Sequence, residues 1–224
     1  MSRNNWIIIG VIVALAAAGG AYYFLNQGGM QSAGNSGAAM AASAHYAPLP
    51  TDHTLGNPAA KVVVIEYASP TCPVCAHFMI NMFPKVKSDY IDTGKVFWVY
   101  RTFMRGPDDG SAEKLARCIP KEKYMAFTDS LYRNQAKWDY EFGIPSPDGV
   151  HAALLALAAE QGMSNAEADR CLVSTADEAA INKVGDDGVA RYQVAATPTF
   201  VVNGQSEAGF ENLTARLDAA IAGK

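Results

Sequence analysis

Residues 61–67, KVVVIEY, constrain the fold more than any other stretch of the chain. Val62, Val63, Val64 and Ile65 follow one another with no polar residue between them. A strand with one wet face alternates apolar and polar positions. An unbroken β-branched run instead marks a strand buried on both faces, as in the middle of a sheet. One residue breaks the pattern: Glu66 places a carboxylate inside the run.

The segments around this strand complete an order of elements. A helical pattern runs from Cys72 to about Asp89, with Phe78, Met79, Met82, Phe83 and Val86 on one face, and Gly94 ends the turn after it. KVFWVYRTF, residues 95–103, reads as a second strand. From 106 to about 192 the chain is rich in alanine and charge with helical periodicity, broken at Pro120, at GIPSPDG (143–149) and at Gly162. Ser164 and Glu167 have the spacing of a capping box. TPTFVVNGQ then gives a strand at 199–202 turning at Asn203-Gly204, a strong hairpin signal. A short partner strand reaches Gly209 and an amphipathic helix over 211–222 finishes the chain. The order is strand, helix, strand, helical block, strand, strand, helix. That is an α/β fold with an all-helical insertion, taken as 107–185.

The N-terminus carries a different signal. Residues 6–25, WIIIGVIVALAAAGGAYYFL, contain no charge, and as a helix they rise about 30 Å, the thickness of a bilayer core. Arg3 precedes them and no Lys or Arg follows until Lys61, which places the N-terminus in the cytoplasm and the rest outside. A cleaved signal peptide is the alternative. Ala42-Ser43-Ala44 has the chemistry of a cleavage site but lies far past the apolar stretch, which favours an uncleaved transmembrane anchor. Either arrangement puts the remainder in an oxidising compartment. Residues 26–53 read as a Gly/Ala/Ser-rich flexible linker between the anchor and a first half-domain at 54–106. With 22 Asp+Glu against 18 Lys+Arg and no basic stripe, nucleic acid is not an expected partner.

Half of the four cysteines lie in SPTCPVCAHF, residues 69–78. Cys72 and Cys75 admit three readings. A closed zinc site wants four ligands, and Cys118 and Cys171 sit alone with no His-x(3–5)-His pair in the chain. A purely structural bridge across three residues closes a tiny loop and removes little entropy from the unfolded chain. A redox pair wants its attacking thiol at a helix N-terminus, where unpaired N–H groups and the dipole stabilise a thiolate. Cys72 ends the connection from a strand and opens a helix, with Pro73 at the first helical position, where a missing N–H costs nothing.

CPVC opening a helix after a strand, together with the distant TPTFVVNG, resembles the thioredoxin superfamily. The inserted helical block narrows the resemblance to DsbA-like thiol:disulfide oxidoreductases, over about residues 54–224, with 186–224 as the second half of the thioredoxin fold. The resemblance implies a cis Thr197-Pro198 bond facing the reactive pair, Cys75 as resolving thiol, and Glu66 as a buried acid beneath it that shuttles its proton. Arg101, at the end of the neighbouring strand, is the expected ion-pair partner of Glu66. For Cys118 and Cys171 a second, structural disulfide in the helical domain is expected, with a regulatory bridge or free thiols as alternatives.

The resemblance further implies an envelope enzyme in the inner membrane with its catalytic domain in the periplasm. It would use no cofactor, oxidise reduced exported proteins, and be reoxidised by a quinone-linked, DsbB-like membrane partner. A reductase or isomerase kept reduced by a membrane electron donor is the alternative, and a binding protein or chaperone with a structural disulfide is a third. Isomerases of the superfamily carry a dimerisation domain; the linker is too poor in apolar residues to be one, which points to a monomer. Val74 departs from the family's strong oxidants, which carry histidine there. That removes one source of thiolate stabilisation.

Overall fold

The computed structural model describes residues 46–143 and 146–223. The expected membrane anchor at 6–25 lies outside the described residues. No helix among the described residues is long and apolar enough to cross a membrane.

The chain enters through a short strand β1 (His53–Gly56), then β2 (Val62–Ala68), every residue of which is buried. A long helix α1 follows over 73–91, in which α-helical turns (Pro73–His77, Phe83–Val86) alternate with wider π turns (Phe78–Met82, Lys87–Ile91). Pro84 supplies a reason, since it has no N–H to donate to the carbonyl one turn back. Strand β3 (Val96–Thr102) is again buried throughout. The helical block then runs through α2 (Pro107–Cys118), α3 (Tyr124–Arg133), the single turn α4 (Gln135–Trp138), α5 (Pro147–Glu160), α6 (Asn165–Leu172) and α7 (Thr175–Tyr192). Strands β4 (Thr199–Val202) and β5 (Gln205–Ala208) and helix α8 (Leu213–Ile221) close the chain.

The five strands lie in the order β1-β3-β2-β4-β5, with β2 and β3 parallel and the other pairs antiparallel. β2 therefore occupies the centre, as its unbroken apolar run requires. Side chains alternate across the sheet. Val62, Val64 and Ala68 face a core shared with Trp98, Phe78, Cys75 and the helical block. Val63, Ile65 and Tyr67 face a second core with Val99, Val184 and Tyr192. Helix α7 covers this second face. Gly188 on α7 lies so close to Tyr67 that a Cβ would meet the ring at 2.7 Å, so only glycine allows the approach. The β4–β5 hairpin turns at Asn203 and Gly204, both at positive φ, as a tight two-residue turn demands.

Three boundaries differ from the sequence reading. β1 is an additional edge strand, unread because four residues of HTLG carry no periodicity. Residues 46–53 are not a free linker: Tyr46 packs edge-on against Phe97, and Asp52 is buried in an ion pair. Helix α7 runs unbroken through 185 to Tyr192. Ser164 does start α6 with a capping box closed by Glu167.

Candidate active site

The loop between β2 and α1 ends on Cys72, the N-cap of α1. Its Sγ takes the place that an oxygen holds in an ordinary cap, accepting from the backbone N–H of Cys75 at 3.3 Å. Pro73 sits at the first helical position. The same sulfur donates to the carbonyl of Thr197 at 3.3 Å, across 125 positions of sequence. Thr197-Pro198 is a cis peptide. Cys72 and Cys75 are both free thiols and both buried. The turn that opens α1 and the loop that enters β4 thus meet at one sulfur.

The two thiols differ sharply. Cys72 is lowered to about 5, first by hydrogen bonding from the Cys75 thiol, then by Thr197 and the backbone N–H groups of Cys75 and Val74, all against the opposing effect of burial. Thr197 Oγ1 is buried with no hydrogen-bond partner among the described residues. Its hydroxyl is therefore free to turn toward the sulfur once that sulfur ionises. Cys75 moves the other way: burial pushes its thiol far above the ordinary range, and the Cys72 sulfur and Glu66 carboxylate raise it further. Substituting Thr197→Val should raise the Cys72 midpoint by about one pH unit, the worth of one hydrogen bond. Thiolate absorbance followed against pH measures it, and an unmoved midpoint would remove the hydroxyl from the site.

Glu66 is fully buried on the Cys75 face of β2. Oε2 accepts from Trp98 Nε1 at 3.2 Å, while Oε1 has no partner among the described residues. Burial pushes its pKa up to about 8, so it holds its proton at neutral pH. The expected pairing with Arg101 does not occur. Register explains it: Glu66 lies opposite Tyr100, whereas Arg101 lies opposite Tyr67, so the two side chains leave the sheet on opposite faces. Arg101 pairs instead with Asp52 and Asp187.

A raised folded-state pKa means the folded protein keeps a proton that the unfolded chain loses. Between about 4.5 and 8 stability therefore falls as pH rises. Glu66→Gln should be more stable than the native protein by about 3 kcal/mol at pH 7, with the difference vanishing near pH 4. Urea denaturation at the two pH values tests this. Equal midpoints at pH 7 would show that Glu66 is ionised there.

Two residues that sequence reasoning missed hold the loop. Asp109 Oδ1 accepts from Ser69 Oγ at 2.7 Å and from Thr71 N at 2.8 Å, and its Oδ2 accepts from the N–H groups of Arg105 and Gly106. Gln135 Nε2 donates to the carbonyls of Pro70 at 2.7 Å and Cys72 at 3.1 Å. Both come from the helical block, so the insertion is bonded to the backbone that presents Cys72. The Pro107-Asp108-Asp109 helix start carried a signal for the cap, but nothing local pointed to positions 69–72. In the same block Cys118, at the end of α2, is bonded to Cys171 in α6, 53 positions on. Among the described residues no group of three or more His, Cys, Asp or Glu side chains could hold a metal ion.

A family model described as Thioredoxin matches residues 49–219. The chain belongs to the thioredoxin family. Within it, the chain is 31% identical over 185 residues to a Rickettsia bellii protein named "Putative protein-disulfide oxidoreductase", covering 76% of this chain and 64% of that one. The chain spans a little over three fifths of the length of the curated relatives matched in this way. Among solved structures it is similar to alpha-DsbA1 of Wolbachia pipientis, with a TM-score of 0.71 and 26% identity over 82% of this chain and 96% of that one. It is also similar to a protein-disulfide isomerase from Novosphingobium aromaticivorans, with a TM-score of 0.70 and 25% identity over 76% of this chain and 97% of that one. The strand–helix–strand core with a helical insertion is thus shared with DsbA-like proteins of this family.

Proposed function

We propose that this protein is a thiol:disulfide oxidoreductase of the bacterial envelope that introduces disulfides into exported proteins. The observation that carries the reading is the asymmetry of the pair: a thiol at a helix N-cap lowered to about 5, beside one held protonated by burial. In the oxidised protein a substrate thiolate attacks Sγ of Cys72. The Cys72–Cys75 bond breaks, and the electron pair leaves on Cys75. A thiolate there is strongly disfavoured, and the proton held by Glu66 is at hand to quench it. The substrate's second thiolate then attacks its own sulfur in the mixed disulfide and expels Cys72. A leaving group of low pKa departs readily, which drives electrons toward the enzyme. The product is an oxidised substrate and a Cys72/Cys75 dithiol. A quinone-linked membrane partner takes the two electrons and restores the disulfide.

Thr197 and Pro198 carry the loop that faces Cys72, and exposed Ala195 and Ala196 just before them offer backbone to an extended substrate segment. The apolar run at 6–25 supports anchoring in the inner membrane, with the catalytic domain in the periplasm. The Cys118–Cys171 bridge serves as a structural staple of the helical block. A reductase or isomerase would use the same pair in reverse, yet a thiolate stabilised in the reduced form favours the oxidant. A binding protein with a merely structural disulfide would keep its function when both cysteines become serine.

The test is oxidation of a reduced, unfolded protein substrate by the oxidised enzyme, beside Cys72→Ser/Cys75→Ser. Stoichiometric gain of substrate disulfide with the native enzyme, and none with the variant, is the expected result. No transfer from the oxidised enzyme would overturn the reading.

A further inference from the structure

A recess opens beside the cysteine loop, on the side of the helical block. It has a volume of about 290 Å³ and is walled by Thr71, Arg105, Pro107, Tyr140, Val150 and a set of carboxylates. That is small beside the pockets that enclose drug-sized ligands, and suits a single side chain. Thr71 precedes Cys72 directly, so the recess adjoins the residue to which a substrate sulfur would be bonded.

The polar lining is unbalanced. Asp108, Asp139 and Glu141 face a single cation, Arg105. That guanidinium is already engaged, with Nη1 donating to the Thr71 carbonyl at 3.4 Å and Nη2 lying 3.5 Å from Glu141 Oε1. Burial raises the pKa of the Asp108 carboxyl, and the backbone of Tyr140 offsets part of that. Asp139 differs from both. It is 1% exposed, its Oδ1 accepts from the N–H of Glu141 at 3.0 Å, and its Oδ2 is buried with no donor among the described residues. Burial raises its pKa to about 6, which still leaves it ionised at neutral pH. A buried carboxylate oxygen without a donor is costly, and a donor brought by a ligand would relieve it.

The rest of the wall fits the stem of such a donor. Pro107, Pro147 and Val150 are apolar, and Tyr140 stands 58% exposed at the rim. Long cationic side chains lay their methylenes along apolar surface and present the charge at the end, and a tyrosine face attracts that charge. We propose that this recess is a substrate subsite that takes a lysine or arginine side chain close to the reacting cysteine of the target protein, with the Asp139 carboxylate as its counter-charge. The proposal rests on the oxidoreductase reading and adds to it a preference for targets with a basic residue near the cysteine.

The test compares dithiol peptides of one sequence that carry lysine or norleucine at successive positions flanking the first cysteine. The full-length enzyme oxidises them, with one oxidised glutathione per turnover returning the pair to the disulfide and leaving as two reduced glutathiones. At the position that reaches the recess, lysine should raise kcat/KM about tenfold over norleucine, the effect of one charge-assisted contact. Asp139→Asn should bring that ratio near one. Glu141→Gln, at a more exposed position, should lower it in the same direction and serves if the buried substitution does not fold. Equal rates for lysine and norleucine peptides at every position would overturn the subsite, as would a ratio unchanged in both variants. Failure to oxidise either peptide would overturn the oxidoreductase reading itself, and the subsite with it.

Discussion

Arg101→Met is expected to lower the stability of the fold by about 3–5 kcal/mol, the cost of stripping one partner from a buried ion pair. Arg101 has five N–H donors, and the structure satisfies all of them. Nε and Nη2 grip Asp52 at 2.7 and 3.0 Å, Nη1 donates to Tyr67 Oη at 2.7 Å and Asp187 at 3.2 Å, and Nη2 also reaches the Ala47 carbonyl at 2.8 Å. The side chain is 1% exposed and Asp52 only 4%, so solvent offers little screening. Methionine keeps much of the volume and removes every bond. Asp52 would retain its contacts to Tyr46 Oη and Leu49 N, but its charge would stand uncompensated. The N-terminal segment 46–52, α7 and the sheet all meet at this guanidinium. The loss should therefore also show as faster proteolysis near residue 50. Urea denaturation gives the magnitude, and adding Asp52→Asn to Arg101→Met should recover part of it. A loss under 1 kcal/mol would mean that water or rearrangement replaces the pair.

None of that hub was legible in the sequence, and the reason is geometric. Asp52, Arg101 and Asp187 come from three distant segments, and each alone reads as a surface charge. Only the register of β2 on β3 fixes which face Arg101 takes, and the sequence reading put it on the face of Glu66. The centre of the sheet was legible for the opposite reason. The run at 62–65 is local, and no other environment accepts four adjacent β-branched side chains. The meeting of CPVC with the TPTF loop was reachable only through the family resemblance. Each half carries a local signature, an N-cap with proline after it and a proline entering a strand, but neither says that the two meet. Asp109 and Gln135 were not reachable. Their partners are backbone groups of residues 69–72, and a backbone donor or acceptor leaves no trace in the residue types around it. The end of α7 was legible, because the helical pattern runs to about 192 through Gly185 and Gly188, although glycine weakens such a pattern. Gly188 is there for its close approach to Tyr67, a requirement visible only in three dimensions.

The largest chemical effect is expected between the two thiols. At pH 6 a thiol titrating at about 5 is roughly nine-tenths thiolate, whereas one raised above the ordinary thiol range is ionised in fewer than about one molecule in a thousand. Alkylation of the reduced protein by iodoacetamide at pH 6 should therefore modify Cys72 at least about a hundredfold faster than Cys75, allowing for the lower intrinsic nucleophilicity of a low-pKa thiolate. Exposure acts in the same direction, because Cys72 is 4% exposed and Cys75 fully enclosed. The same asymmetry separates the single variants. Cys75→Ser keeps the N-cap sulfur and should accumulate a mixed disulfide with substrate. Cys72→Ser leaves a thiol with neither helix-terminal donors nor access, and should form none. Val74 is exposed and contributes its backbone N–H rather than its side chain. The low value at Cys72 thus owes nothing to the side chain that departs from the family's strong oxidants, and Val74→His should lower it further. Faster labelling of Cys75 in the native protein, or a trapped adduct in Cys72→Ser, would reverse the assignment of attacking and resolving thiols.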